Sequence, residues 1–304
     1  MEHAAILAGA LLLDAALGEP DWLWRRLPHP AVLMGRLIGW CDLRFNQGGR
    51  RRAKGIAVMA ALAFGAWMLG LAIAALPLGW LWQMMIAAVL LAQRSLADHV
   101  GAVADALRLG LAEGRRAVAH IVGRDTGAMD GTAVARGAIE SAAENLSDGV
   151  VAPALWFLVA GLPGLLVYKI TNTADSMIGY RTPRHADFGW AAARLDDLLN
   201  LIPSRLTALM IALVHGRFDA GPVVWRDAPL HRSPNAGWPE AAMAVCLGVQ
   251  LSGPRSYGGA VQDYPLVHPE GRAEIGPDEI DASVGAVWRT WGLLLGASLV
   301  LAVL

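Results

Sequence analysis

The chain has 304 residues, of which 55% are apolar and 17% are charged, and its formal net charge is -1. Together with a mean hydropathy of +0.43, this composition is typical of an integral membrane protein, because soluble globular chains average about 25% charged residues. The near-zero net charge gives no support to nucleic acid as a partner, since the sequence shows no domain-sized basic face. Cys41 and Cys246 form no CxxC pair, so neither a disulfide framework nor a zinc site is indicated.

The N-terminal segment, residues 1–54, joins an apolar helix to a basic stretch. Residues 3–18 predict a helix that contains Asp14 and lacks both a basic leader and an Ala-x-Ala site, so we expect an uncleaved helix rather than a signal peptide. Residues 21–42 then mix tryptophans with arginines and prolines. This mixture is typical of a membrane interface.

Residues 55–93 contain no charged residue. A membrane span needs about 20 apolar residues, so this stretch predicts two transmembrane helices that turn near Pro77 and Gly79. Several arginines and Lys54 precede the hairpin, Arg94 follows it, and its tip carries no charge. By the positive-inside rule, both ends of the hairpin face the cytoplasm.

Residues 94–240 are richer in charge and are expected to hold polar helices and the core of a site. Glu140, Glu144 and Asp148 recur at i, i+4 and i+8, so a helix would align them on one face with Asn145 beside them. No lysine or arginine separates them, and like charges at this spacing repel. Mg²⁺ bound by carboxylate oxygens would relieve the repulsion, and a solvated acidic face is the alternative.

The apolar segment at residues 150–168 has the length of a span but is interrupted by Gly161-Leu162-Pro163-Gly164. If the break is a turn, two half-helices return to one side of the membrane. A straight helix would instead place the acids and Lys169 on opposite sides. Cooperation of these groups in catalysis requires the turn.

Polar side chains follow this break. Lys169, Asn172 and Ser176 share a helical face, and Asp175 lies three residues after Asn172. Such groups are costly beside an apolar segment unless they are paired, which favours a functional site.

A second carboxylate-amide set comes later in the chain. Asp196 and Asn200 have i, i+4 spacing, and Arg205 follows shortly after Pro203. Asp197 lies three residues after Arg194, so a self-neutralised ion pair remains an alternative to a functional role.

Two polar loops complete the candidates. The loop at Arg124 and Asp125 either contacts a phosphate or carboxylate through Arg124 or forms a helix cap. Residues 226–240 form a cationic, turn-rich loop, in which the turn residues from Ser233 to Gly237 favour a rigid turn.

Residues 241–304 comprise an apolar segment, a polar loop and a last apolar helix from Val284 to Leu304 that is long enough to span. We therefore predict one integral membrane domain over residues 1–304. Its class is all-α, a polytopic protein with broken or re-entrant helices and with polar helices and loops on the cytoplasmic side. Neither a P-loop nor GxGxxG, HExxH or GxSxG motifs occur, so phosphates would be bound by scattered cations, amides and a carboxylate-held metal.

Several sequence blocks carry a resemblance over nearly the whole chain. They are ESAAENLSDGVVAP, YKITNTADSMIGY, RLDDLLNLIPSRL, HRSPNAG and the early GEP and HP pieces. These blocks, in matching order along the chain, resemble those of the adenosylcobinamide-phosphate synthase family, an integral membrane enzyme of late cobalamin biosynthesis. The chain departs from the family pattern mildly, with Glu19 where Asp is usual and Arg181 where Lys is common.

The resemblance implies an amide ligation. A side-chain carboxylate of the corrinoid adenosylcobyric acid would be joined to the amine of aminopropanol, usually as its O-phosphate, with ATP and Mg²⁺ used. Amide formation in water is uphill, so we expect activation of the acid as an acyl phosphate, with catalysis through positioning and charge neutralisation.

On this basis we assign hypothetical roles to residues of three kinds. The catalytic candidates are Glu140, Glu144, Lys169 and Asp175, and the candidates for Mg²⁺ are Glu140, Glu144 and Asp148. The candidates for substrate or phosphate binding are Arg124, Asp125, Asn145, Asn172, Ser176, Asp196, Asp197, Asn200, Arg205, His231, Ser233 and Asn235.

Two other classes of protein stay open. A non-catalytic sensor or scaffold would resemble the beta-lactamase-induction membrane protein, but a scaffold has no need of Lys169 and Asp175 beside the acids. A transporter also has broken helices and buried acids, but few full spans and no internal repeat are found here. We expect a multi-pass protein of the cytoplasmic (inner) membrane, with its site facing the cytoplasm, in contact with the lipid bilayer and with other late cobalamin-pathway enzymes as candidate partners.

Overall fold

The computed structural model describes residues 1–304, without the side chain at position 21. Helices dominate the described chain, which confirms the predicted all-α class. The helices of the first half are α1 (Glu2–Leu17), α2 (Asp21–Trp24), α3 (Pro30–Phe45), α4 (Arg51–Ala74), α5 (Gly79–Leu90), α6 (Gln93–Leu109), α7 (Leu111–Val118) and α8 (Gly131–Leu146). Those of the second half are α9 (Ala152–Ile178), α10 (Trp190–Leu199), α11 (Leu201–Val214), α12 (Gly221–Asp227), α13 (Gly237–Leu247) and α14 (Pro277–Val303).

Short irregular elements connect these helices. A π-helical turn occupies Ser147–Val151, and a 3₁₀ turn occupies Ala228–Leu230. The strands are β1 (Leu251–Ser252), β2 (Arg255–Tyr257), β3 (Ala260–Gln262) and β4 (Leu266–Val267). β1 pairs antiparallel with β4, and β2 pairs antiparallel with β3.

Four helical stretches are long and apolar enough to cross a membrane, and α10 with α11 would make a fifth span if they act together. The four stretches are Arg51–Ala74, Gly79–Leu109, Gly131–Ile178 and Pro277–Val303. Only 11% of the apolar window in Arg51–Ala74 is buried inside the protein, as expected of a helix that faces lipid. The predicted polytopic membrane protein is therefore confirmed. The hairpin over residues 55–93 stays a prediction, because α5 has only 12 residues and the candidate span that contains it continues to Leu109.

Residues 1–92, 152–200 and 297–304 form one compact unit. In this unit α4 and α10 pack on α9, and α1 packs on α5. A core of Ile38, Met59, Ile170 and Phe188 lies among α3, α4, α9 and the segment before α10. At Gly70 a Cβ would lie 2.5 Å from the Cα of Pro163, so the absence of a side chain allows α4 to approach the backbone of α9 closely.

α9 is broken where the sequence predicts a break. Ala160 (φ -136, ψ 17) and Gly161 (φ 62, ψ -154) leave the helical conformation, and Pro163 follows. The backbone conformation at Gly161 is one that essentially only glycine adopts. His3 of α1 places Nδ1 3.3 Å from the carbonyl oxygen of Leu158, which gives a partner to a carbonyl group next to the break. The return of the segment to one membrane side stays a prediction.

Residues 93–151 and 201–296 form the second compact unit. Within it α6 packs on α7 and α8, and α13 packs on α8 and α11. The N-cap of α8 is Asp130, whose side chain accepts a hydrogen bond of 2.7 Å from the backbone N–H of Ala133. This N-cap stabilises the start of the helix that carries Glu140 and Glu144.

Candidate functional site

Within the first unit, α9 and α10 bring together five polar residues that we call the aspartate-asparagine cluster: Asn172, Asp175, Asp196, Asp197 and Asn200. The Nδ2 group of Asn172 donates a hydrogen bond of 3.2 Å to Oδ1 of Asp196. The Nδ2 group of Asn200 donates one of 3.0 Å to Oδ2 of the same aspartate. Both oxygens of Asp196 thus accept amide hydrogens, which fixes the carboxylate in one orientation. The set predicted from i, i+4 spacing is assembled.

Tyr168 supports this cluster and was missed by the sequence analysis. Its side chain is fully buried, and its hydroxyl donates a hydrogen bond of 3.0 Å to Oδ1 of Asn200. This bond orients the amide of Asn200, so that its NH₂ group points to Asp196. Its spacing could have indicated this role, because Tyr168 lies one helical turn before Asn172 and therefore on the same side of the helix.

The charges of Asp175 and Asp197 complete the cluster. Each interacts with another aspartate of the set, Asp175 with both Asp196 and Asp197. Arg194 approaches Oδ2 of Asp197 at 3.1 Å, so the ion pair considered as the alternative is present. It is an exposed pair and therefore a weak one. Like charges that lie close together repel, so cations are expected to bind here.

The other predicted residues of α9 have simple positions. Lys169 is half-buried, and Ser176 is exposed. The hydroxyl of Ser176 donates to the carbonyl oxygen of Asn172 at 3.0 Å. This bond holds the serine against its own helix.

Within the second unit, buried ionisable groups form what we call the arginine-glutamate cluster: Arg124, Glu140, His231, Glu240 and Arg255. Oε2 of Glu140 lies 2.6 Å from Arg124, and Oε1 lies 3.2 Å from Arg255. Oε1 also accepts a hydrogen bond of 2.6 Å from the backbone N–H of Ser252 in β1. The side chains of Arg124, Glu140 and Arg255 are 8%, 6% and 10% exposed. Buried charges require such pairing.

The three acids predicted to share one helical face have different environments. Glu140 is buried, Glu144 is exposed, and Asp148 is half-buried in the π-helical turn. Asn145 is exposed and donates from Nδ2 to the carbonyl oxygen of Ser141 at 2.9 Å. The spacing of the acids predicted a nearby cation, and at Glu140 this positive charge comes from Arg124 and Arg255, which are distant in sequence. Both Glu140 oxygens already have protein donors, so Glu140 itself is poorly suited to bind a Mg²⁺ ion.

In the part of the chain that the structure describes, no group of three or more His, Cys, Asp or Glu side chains has the geometry of a metal site. Mg²⁺ usually binds through one or two carboxylates, with waters and substrate phosphates as its other ligands. The carboxylates present fit that mode of binding.

Glu240 and His231 form a buried pair that sequence reasoning only half found, since Glu240 was not a candidate. Nε2 of His231 lies 3.6 Å from Oε1 of Glu240. Burial, together with the charges of Glu140 and Glu144, raises the pKa of Glu240 well above its ordinary value. Burial and the charge of Arg255 lower the pKa of His231 to about 4. Burial thus favours the uncharged form of both groups.

Arg205 of α11 is held by the turn-rich loop. Its Nη1 donates to Oδ1 of Asn235 at 3.0 Å, and its guanidinium lies 4.5 Å from the ring centroid of Trp238. Ser233 Oγ accepts from the backbone N–H of Asn235 at 3.2 Å, and Nδ1 of His231 accepts from that of Ser233 at 3.0 Å. These bonds confirm the predicted rigid turn.

Asp125 is hydrogen-bonded to the hairpin that β2 and β3 form. Its Oδ2 accepts hydrogen bonds from Ser256 Oγ at 2.9 Å and from the Gly259 N–H at 2.7 Å. The bond from Gly259 and that from Ser256 lower the pKa of Asp125. The alternative that this loop caps the next helix is wrong, because Asp130 caps α8.

Comparison with known proteins gives matches along most of the chain. Residues 7–287 match the family model described as CobD/Cbib protein. A protein of Sinorhizobium sp. named cobalamin biosynthesis protein CobD is 50% identical over 316 residues, which cover 98% of each chain. Proteins of the same name from Rhizobium meliloti (52% identity; 93% of this chain and 92% of that one) and Rhodobacter capsulatus (50%; 88% of each) are also similar. No solved structure matches the chain.

Proposed function

The chain belongs to the CobD/Cbib family of cobalamin biosynthesis proteins, and we propose that it is an ATP- and Mg²⁺-dependent amide ligase. Its acid substrate is adenosylcobyric acid, and its amine substrate is aminopropanol or aminopropanol O-phosphate. The product is adenosylcobinamide or its phosphate. In enzyme terms it is an adenosylcobinamide-phosphate synthase, which forms a carbon-nitrogen bond.

The aspartate-asparagine cluster is the observation that carries this proposal. It combines the sequence blocks YKITNTADSMIGY and RLDDLLNLIPSRL in one set of hydrogen bonds, with Asp196 held between Asn172 and Asn200. Interacting carboxylates at the end of an apolar stretch are costly for the free energy of folding. Their assembly therefore supports a role in binding cations and polar substrate groups.

The reaction requires the acid to be activated. Transfer of a phosphoryl group from ATP to the substrate carboxylate turns one of its oxygens into part of a leaving group. The amine nitrogen then attacks the carbonyl carbon, phosphate leaves, and the ammonium loses a proton. Asp175 is the candidate base for that proton.

The negative charge of the phosphates is proposed to be neutralised in two ways, by a Mg²⁺ ion held on carboxylates and by cationic side chains. When bound, Mg²⁺ would supply positive charge to the phosphates, and Glu144 and Asp148 of the second unit are its candidate ligands. Lys169 is the candidate for the acyl phosphate. Arg205, whose guanidinium is oriented by Asn235 and Trp238, is a candidate for phosphate.

The site is proposed to face the cytoplasm from the inner membrane, since ATP is there and the basic ends of the hairpin point there. Other late cobalamin-pathway membrane enzymes are proposed as partners, because a corrinoid amide has to be passed on for further modification.

A coupling assay tests the proposal. The full-length protein in detergent is given adenosylcobyric acid, Mg²⁺ and ATP with either aminopropanol or its phosphate, and the corrinoid product is identified by its mass. We expect one amine to yield the amide only when ATP is present. Movement of a corrinoid across proteoliposomes without a new amide would indicate a transporter, and neither result would indicate a scaffold.

A further inference from the structure

α3 exposes an apolar face that the first unit leaves uncovered. Ile38 and Cys41 point into the core, whereas Leu37, Trp40 and Leu43 are 47%, 56% and 65% exposed. α3 is not among the helices that are long and apolar enough to span a membrane. A helix of this kind, with large apolar residues and arginines on its outer side, is suited to lie in the plane of the membrane interface.

Positive charge surrounds this face. Residues 36–54 contain six basic residues and one acidic residue. That acid, Asp42, accepts hydrogen bonds from Arg184, which lies 2.6 Å away. Among the described side chains, Arg36, Arg44 and Arg50 have no carboxylate partner, and all three are exposed.

The position of these arginines relative to a span identifies their ligand. Arg50 immediately precedes α4, whose apolar window is 11% buried and so faces lipid chains. Phosphate groups of the lipids beside α4 therefore lie at the level of its first turn. There Arg52 stacks 3.9 Å from the ring centroid of Trp190, and aromatic rings with arginines are the residues that prefer the headgroup region.

We propose that the outer face of α3, the loop at residues 46–50 and the first turn of α4 form a binding surface for anionic phospholipid headgroups. Guanidinium groups bind phosphate through paired hydrogen bonds, and the apolar side chains of α3 enter the boundary between headgroups and acyl chains. This surface is independent of the ligase chemistry.

Lipid retention tests the proposal. The full chain is placed in nanodiscs of phosphatidylcholine mixed with phosphatidylglycerol, and native mass spectrometry measures which lipids remain bound after release. The wild type should be enriched in phosphatidylglycerol. The R36Q/R44Q/R50Q variant should lose about fivefold of that preference per arginine, on the order of a hundredfold in all.

Two further variants make the result decisive. The R36K/R44K/R50K variant keeps the charge and should keep most of the preference. The control R94Q/R108Q/R116Q removes three exposed arginines that already have carboxylate partners and should behave as the wild type does. Equal enrichment in the wild type and the glutamine variant, or an equal loss in the control, overturns the proposal. So does a loss of ATP binding by the glutamine variant in purely zwitterionic nanodiscs, which would assign these arginines to the nucleotide.

Discussion

Replacement of Gly161 by alanine should strain the break in α9. With φ 62 and ψ -154, a residue other than glycine costs about 1–3 kcal/mol in backbone energy. The new Cβ would lie 2.8 Å from Nε2 of His3, and overpacking of this kind costs a further ~1–3 kcal/mol. We therefore expect Gly161→Ala to lower the free energy of unfolding by about 2–6 kcal/mol.

Unfolding of the full chain by SDS in mixed micelles, followed by tryptophan fluorescence, measures this change. The matched control is Gly101→Ala in α6, where the Cβ would meet nothing within 4 Å. Because alanine favours helix over glycine, the control should gain up to about 1 kcal/mol.

A double-mutant cycle with His3→Ala separates the two contributions. Removing the imidazole abolishes the clash but not the backbone strain, so Gly161→Ala should cost less when His3 is absent, by about 1–3 kcal/mol. Equal stabilities of the Gly161 and Gly101 variants would refute the role of the break. An unchanged cost without His3 would refute the clash.

Four other substitutions test the remaining contacts. Glu140→Ala leaves two buried arginines without their carboxylate and should lower the free energy of unfolding by about 3–5 kcal/mol in the same assay. Glu144→Ala, at an exposed position, should change stability by less than about 0.5 kcal/mol but slow the proposed ligation, and a parental rate would remove Glu144 from the catalytic set. Tyr168→Phe should lower the free energy of unfolding by about 0.5–1.5 kcal/mol, because it removes the hydroxyl that donates to the buried amide oxygen of Asn200. The pKa of His231 is about 4 in the folded chain against an ordinary value of 6.5, so the unfolded chain binds a proton at higher pH than the folded chain does. Stability should thus fall as pH decreases from about 6.5 to about 4, by about 3 kcal/mol at the lower end, and His231→Asn should flatten this dependence in unfolding curves recorded across that range.

The features that could be predicted from the sequence are those set by neighbouring residues. The charge-free stretch that becomes α4 and α5, and the break at Gly161, depend on residues within a few positions of each other. The same holds for the turn at Ser233, which is built from bonds between residues two positions apart.

The environment of each acid could not be predicted in this way. Glu140 and Glu144 are one turn apart on α8, yet one is buried and the other exposed. The difference comes from Arg124 and Arg255, which contact Glu140 from 16 residues before it and from far beyond it in the chain. Helical periodicity predicts which side of the helix a residue faces, but not which other segments of the chain pack against that side.

Tyr168 and Glu240 were missed for a related reason. A tyrosine in an apolar helix is most often part of the core, whereas the hydroxyl of Tyr168 also donates a hydrogen bond to Asn200, which lies 32 residues further along the chain. Glu240 follows Pro239 at the start of an apolar helix, a position that suits an exposed acid equally well. Its burial depends on contacts between segments far apart in sequence.

The two compact units are interleaved along the polypeptide, since residues 93–151 interrupt the first unit and residues 201–296 interrupt it again. Neither unit is therefore a continuous stretch of the chain, and neither is complete until nearly the whole chain has been synthesised. The first unit is incomplete until residues 297–304 have been synthesised, although it already contains residues 1–92. The apolar segments of the first unit that are synthesised early therefore remain without their packing partners, in the bilayer or bound to chaperones, until the later segments are made. A truncation before residue 297 removes the last turns of α14 from a unit that also contains residues 1–92.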